Sequence, residues 1–326
     1  MTPVLSPSSP AERAQAFVAA RLEAAAALGL RAGDEAQDPA AAAAILREGL
    51  TTLADPEYLD GQRRVAPGIG EVLGVRSPLL SAVAKGLRTA TRRDRPDTRL
   101  DIADHLQRQG PLELHWLADG LIEHAIAAEP ERAWQLVRRE ARAAADWITV
   151  DSLARVAARG ILAEPYRWAE LEQLAYSPSR WERRLAGSTV ATIPFVDRRA
   201  GRTPAVVRHG LGIVGDLIGD AEPNVQKSLS WALRSLLLID PSSVISFLER
   251  EASTAAATED GHRAWVVRDT FEKLPDVTVE RLRATLAAVR KRPGAPSTSR
   301  ASAAAAGFAG LGVGVPPAER IIVDRP

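Results

Sequence analysis

Proline stands repeatedly at the first turn of a helical pattern in this chain. Pro130, Pro165, Pro178, Pro204, Pro223 and Pro241 each open a segment whose apolar residues recur every three or four positions. A first-turn proline gives up an N–H that the helix leaves unpaired anyway, and its fixed φ already suits the helix. In "DPSSVISFLERE" two start signals combine, with Asp240 as the expected cap and Pro241 opening the helix. Strand-like alternation is rare. The pattern predicts fifteen helices, near 10–28, 38–50, 56–66, 77–92, 98–109, 112–128, 130–144, 147–159, 165–176, 179–193, 203–219, 223–239, 241–255, 259–273 and 277–291. From about residue 98 they pair with a period near 35–40, as in HEAT-type helical hairpins. A bundle fits the same helices, but this period favours an all-α fold, an α-solenoid of HEAT-like repeats.

Along the chain, residues 1–55 are compositionally distinct and read as an N-terminal helical extension or cap. Residues 56–291 read as the repeat domain. Residues 292–326, low in charge and rich in Ala, Gly, Ser and Pro, read as a flexible C-terminal tail. The 326 residues are 46% hydrophobic and 25% charged with a net charge of +1, the balance of an ordered globular protein rather than a polyanion-binding tail. No cysteine is present, so disulfides and thiolate chemistry are excluded. Glu and Arg interrupt the Ala-rich N-terminus, which does not read as a signal peptide, and nowhere do about eighteen apolar residues run without a charge. The expectation is a cytoplasmic monomer, in the cytosol or on the nucleoid, without contact to a membrane.

Two familiar signals carry little here. "GLGIVG" at 210–215 matches G-x-G-x-x-G but lies inside a helical segment rather than between a strand and a helix, so close helix packing is the expected use of its glycines. The histidines at 105, 115, 124, 209 and 262 form no i, i+4 pair and have no cysteine partner, so neither a metal nor a cofactor is expected. No G-x-S-x-G or Walker loop occurs.

Three helices mix aromatic rings with charge. "DWITVDSLARVAARG" places Trp147 and Asp151 one turn apart, with Arg155 a turn beyond. "SPSRWERRLAGSTVATIPF" spaces Trp181 and Arg184 at i, i+3. "PNVQKSLSWALRSLLL" spaces Lys227, Trp231 and Arg234 at i, i+4, i+7, and Trp231 falls off the apolar stripe of Val225, Leu229, Leu233 and Leu236. Any one such pair can be a cation–π or snorkelling contact at a helix joint. Three in succession, on helices that a solenoid sets side by side, suggest a shared cleft. Between 180 and 209 seven arginines (180, 183, 184, 198, 199, 202 and 208) stand against Glu182 and Asp197. In a nearly neutral protein that stretch is a candidate phosphate footprint.

From Tyr58 to Lys273 the chain resembles the AlkD family of DNA alkylation-repair glycosylases, HEAT-like-repeat proteins that remove alkylated bases. "YLDGQRRVAPGIGEVLGVRSPLL" is similar to the family's early helix and its "LG-[IV]-x-x-P" connector. "DWITVDSLA" is similar to "W-x-x-x-D-x-[ILV]", "RWERRLAGS" to "W-x-x-R-x-A", and "VQKSLSWALRS" to "[IV]-Q-K-A-[IL]-x-W-x-L-R-[EK]", in the same order. The resemblance implies Asp151 as the catalytic carboxylate, Trp147 and Trp231 as lesion-contacting rings, and Arg184 as a DNA-phosphate ligand. Arg180, Arg183, Lys227 and Arg234 are further expected DNA contacts, with Gln226 in support. One departure is Asp146-Trp147-Ile148, where relatives often carry a Trp pair followed by Asp. The implied partner is duplex DNA bearing alkylated bases, on a concave face, and the implied reaction is hydrolysis of the N-glycosidic bond of cationic N3- or N7-alkylpurines. Two other readings are a non-catalytic protein that binds damaged or branched DNA and a protein–protein scaffold.

Overall fold

The computed structural model describes residues 9–66 and 68–309. Among them are seventeen α-helices and no strands, and the fold is all-α, of the helical-repeat solenoid class. In chain order the helices are α1 (Pro10–Ala19), α2 (Leu22–Asp34), α3 (Pro39–Thr52), α4 (Pro56–Val65), α5 (Ser77–Ala90), α6 (Pro96–Gln107), α7 (Leu112–Ala125), α8 (Pro130–Ala143), α9 (Trp147–Ala163), α10 (Arg167–Ala175), α11 (Arg180–Val196), α12 (Pro204–Leu217), α13 (Pro223–Leu236), α14 (Pro241–Thr258), α15 (Gly261–Arg268), α16 (Asp276–Thr285) and α17 (Arg300–Ala309). Each of the fifteen expected helices has a counterpart. The one expected near 10–28 is two, because the helix breaks at Arg21, whose guanidinium folds back to 3.8 Å from the Phe17 ring.

The helices gather into two compact units, Met1–Ala133 and Trp134–Pro326. In the first, α2 meets α5 backbone to backbone. A Cβ on Gly29 would lie 2.0 Å from the Val83 carbonyl oxygen, and one on Gly86 would lie 2.4 Å from that of Ala26. The helices read as an N-terminal extension or cap lie in the same compact unit as those that follow residue 55. The connector "LGVRSP" is organised by Glu113, a fully buried carboxylate that accepts the backbone N–H groups of Leu73, Gly74 and Val75 at 2.8–3.1 Å. Gly74, at φ +84°, supplies the left-handed turn.

The second unit shows how the repeat works. Asp151 on α9 bonds Arg184 and Ser188 on α11, at separations of 33 and 37 residues. Arg184 reaches Asn224 on α13, 40 residues on. Gln226 and Ser230 on α13 reach His262 on α15 and Asp269 just past its end, at separations of 36 and 39. Residue numbers rise together from α11 to α13 (184 with 224, 187 with 228) and from α13 to α15 (226 with 262, 230 with 269), so these three helices run parallel, and the helices between them return the chain. Val225, Leu229, Leu233 and Leu236 are fully buried along α13.

Within the stretch 292–309, expected as the start of a flexible tail, residues 297–301 bond to or pack on the rest of the unit. Thr298 N–H donates to the Gly219 carbonyl at 2.9 Å, Ala221 N–H donates to Ser297 at 2.8 Å, and Ser299 and Ala301 are buried. Residues 310–326 of that expectation lie outside the described residues. "GLGIVG" lies wholly within α12. Gly210 packs closely, since a Cβ there would come 2.8 Å from Val190, while Gly212 faces open space.

Candidate functional site

Asp146, the residue that breaks the expected Trp pair, is the cap of α9. Its carboxylate accepts the N–H groups of Ile148 and Thr149 at 2.9 and 3.0 Å and the Thr149 hydroxyl at 2.9 Å. This fixes where α9 begins. Trp147 becomes its first residue, 38% exposed, and Asp151 follows one turn later. Val150 and Leu153 turn inward and are fully buried, so the Trp147–Asp151 edge faces away from the core.

Asp151 meets the guanidinium of Arg184 in a two-pronged ion pair. Arg184 Nε donates to Oδ1 at 3.0 Å and Nη2 to Oδ2 at 2.6 Å, the planar fork-to-carboxylate arrangement. The Ser188 hydroxyl donates to Oδ1 at 2.7 Å. Arg184 Nη1 donates to the Asn224 carbonyl at 2.6 Å, which ties the first turn of α13 to the site. Arg184 is only 5% exposed, and its guanidinium lies 5.9 Å from the Trp147 ring centre. The four residues Trp147, Asp151, Arg184 and Ser188 thus form one cluster across α9 and α11, and Arg184 is engaged within it.

Trp231 sits on α13 seven residues after Asn224, on the same face and about 10 Å further along the helix axis. It is partly exposed, off the buried stripe as its spacing requires. Lys227, between Asn224 and Trp231, is exposed. Gln226 is fully buried: its amide donates to the Asp220 carbonyl and faces His262 Nδ1 at 3.2 Å, while its oxygen accepts Lys291 Nζ at 2.7 Å. Burial holds the Lys291 ammonium below the ordinary lysine range.

The remaining arginines divide by environment. Arg183 bonds Asp220, a fully buried carboxylate, at 2.7 Å and the carbonyls of Ser177 and Pro178 at 2.9 Å. Arg234 donates to the carbonyl and carboxylate of Asp269 at 2.6 and 2.9 Å. Arg202 donates to the Pro194 carbonyl at 3.0 Å. Arg180 is exposed, 4.9 Å from the Trp181 ring and 3.7 Å from Glu222. Arg198, Arg199 and Arg208 are exposed as well.

Two partners in the cluster were not anticipated. Ser188 had a readable signal, since it follows Arg184 by four residues and so shares its face. The Asn224 carbonyl had none, because a backbone acceptor leaves no mark on residue identity. Among the described residues no helix is long and apolar enough to cross a membrane, and no group of three or more His, Cys, Asp or Glu is arranged to hold a metal ion.

A family model described as "DNA alkylation repair enzyme" matches residues 46–274, which includes every side chain of this cluster. No curated protein matches the chain.

Proposed function

Because the chain belongs to the family of DNA alkylation repair enzymes, we propose that it is a DNA glycosylase, hydrolysing the N-glycosidic bond of N3- or N7-alkylated purines in duplex DNA. The observation that carries this reading is the Asp151 carboxylate, clamped by Arg184 and Ser188 beside the half-exposed Trp147. Alkylation at N3 or N7 makes the purine cationic, so the base leaves without prior protonation. What the protein must supply is a negative charge near the sugar as positive charge develops there, and a held water. As the C1′–N bond breaks, its electron pair neutralises the departing base. The water oxygen bonds C1′, and the water's proton passes to the carboxylate. Asp151 is the residue assigned to both tasks.

Trp147 and Trp231 offer electron-rich faces to a cationic nucleotide, worth about 0.5–2 kcal/mol each. Phosphate contacts are assigned first to the exposed cations Arg180 and Lys227, with Arg183, Arg184 and Arg234 shaping the surface behind them. Incubation with methylated duplex DNA tests the reading. Free 7-methylguanine or 3-methyladenine, with abasic sites left in the DNA, is the expected outcome.

A second reading has one observation in its favour. Arg184 already occupies the Asp151 carboxylate, as it would in a protein that binds damaged or branched DNA without excising a base. Salt-sensitive binding of damaged duplex with no abasic sites would select it.

A further inference from the structure

A serine in a helix ordinarily bonds back to a carbonyl in its own preceding turn. Two nearby hydroxyls do so: Thr192 donates to the Ser188 carbonyl at 2.8 Å, and Ser228 to that of Val225 at 2.8 Å. Ser188 instead donates across to Asp151 Oδ1 at 2.7 Å, although it is fully buried. The adjacent residue explains how α11 is turned to allow this. Gly187 meets α13 so closely that a Cβ would lie 2.3 Å from Ser228 Oγ, which fixes the rotation of α11 and leaves Ser188 facing α9.

A carboxylate offers about four acceptor positions. Arg184 Nε and Ser188 fill both on Oδ1, and Arg184 Nη2 takes one on Oδ2. We infer that Ser188 is a positioning residue of the base-release reaction: by saturating Oδ1 it leaves Oδ2 as the one oxygen that can hold the attacking water. This rests on Asp151 being the reacting carboxylate, as proposed above. The water sits on Oδ2 with one O–H directed at it, its oxygen bonds C1′ as the C1′–N bond breaks, and its proton passes to that same oxygen. Without the Ser188 hydroxyl the water divides its time between two oxygens, and one of the two positions is misdirected.

The test compares wild type, Ser188→Ala and Ser188→Thr for single-turnover release of 7-methylguanine from methylated duplex at saturating enzyme, alongside duplex affinity by fluorescence anisotropy. Ser188→Ala is expected to slow release about ten- to hundredfold, the range for a small misplacement of a reacting group. Its affinity for the duplex should stay within about twofold of wild type, as expected of a group that acts after binding. Ser188→Thr, which keeps the hydroxyl, should recover most of the rate. An unchanged rate in Ser188→Ala, a parallel fall in rate and affinity, or a Ser188→Thr as slow as Ser188→Ala would each overturn the inference while wild type still released base. A wild type that releases none overturns the glycosylase reading itself, and the placement of the water with it.

Discussion

Arg184 changes what can be learned by substituting Asp151. Its guanidinium is almost wholly buried and donates two of its hydrogen bonds to that carboxylate. Removing the carboxylate leaves a buried charge without its partner, a loss of about 3–5 kcal/mol for a pair of this kind. Asp151→Ala should therefore unfold at clearly lower urea than wild type, whereas Asp151→Asn, which keeps an acceptor and the side-chain volume, should lose much less stability. Urea titration of the two variants checks this, and near-equal midpoints would contradict the pairing. The spacing of Trp147 and Asp151 was legible because it lies within one helical turn. The pairing of Asp151 with Arg184 was not, because it joins residues 33 apart and depends on how successive hairpins stack. The family resemblance alone places Arg184 on phosphate. Its burial and its bonds to Asp151 and Asn224 were visible only once α9, α11 and α13 were in place.

At the scale of helices, α11 is the keystone of the site because it packs against α9 on one side and α13 on the other. Gly187→Ala puts a methyl group 2.3 Å from the hydroxyl oxygen of the fully buried Ser228. Overpacking of this sort costs about 1–3 kcal/mol. The variant should be less stable in urea, and its base release should fall because Ser188 and Arg184 turn with the helix. Helix α14 provides a pH-dependent test. Three hydrogen bonds, from the Ser243 hydroxyl and N–H and the Ser242 hydroxyl, draw the Asp240 carboxyl down from 3.8 to about 2. A depressed carboxyl contributes stability that is present above its unfolded value and is lost as pH falls through its folded value. The stability advantage of wild type over Asp240→Asn should therefore be full above pH 4 and shrink from there toward pH 2. A constant difference over that range would contradict the cap. Starts of this type were readable in advance, since Asp240 and Pro241 are local signals. The cap at Asp146 is also local, but in the sequence it reads only as a departure from a motif. Helix α17 is not legible in the sequence because its Ala-rich composition is uninformative, and what holds the segment before it lies at Gly219 and Ala221, some 80 residues earlier.

For the whole chain, a net charge of +1 means that affinity for DNA has to come from a local surface rather than from overall charge. The sequence located the arginine-rich stretch 180–208 but could not sort it. The fold does so by what each guanidinium meets: Arg183, Arg184 and Arg202 are spent on carboxylates and carbonyls of the protein, while Arg198, Arg199 and Arg208 face solvent. The paired variant Arg198→Ala/Arg199→Ala should lower the slope of log affinity against log salt by about 1.8, the effect of losing two phosphate contacts, and leave the urea midpoint near that of wild type. Arg183→Ala should do the reverse, because it strands the buried Asp220. An unchanged salt slope in the paired variant would remove that loop from the DNA surface.

The proposed reaction depends on Asp151 as the group that drives base release. The most direct measurement is the single-turnover rate of 7-methylguanine release from a duplex, wild type against Asp151→Asn, at enzyme concentrations that saturate both. The account predicts release by wild type and a rate at least a hundredfold lower for the variant, on the order of the contribution of one acid–base group, with both proteins binding the duplex. Equal rates for the two proteins would contradict it.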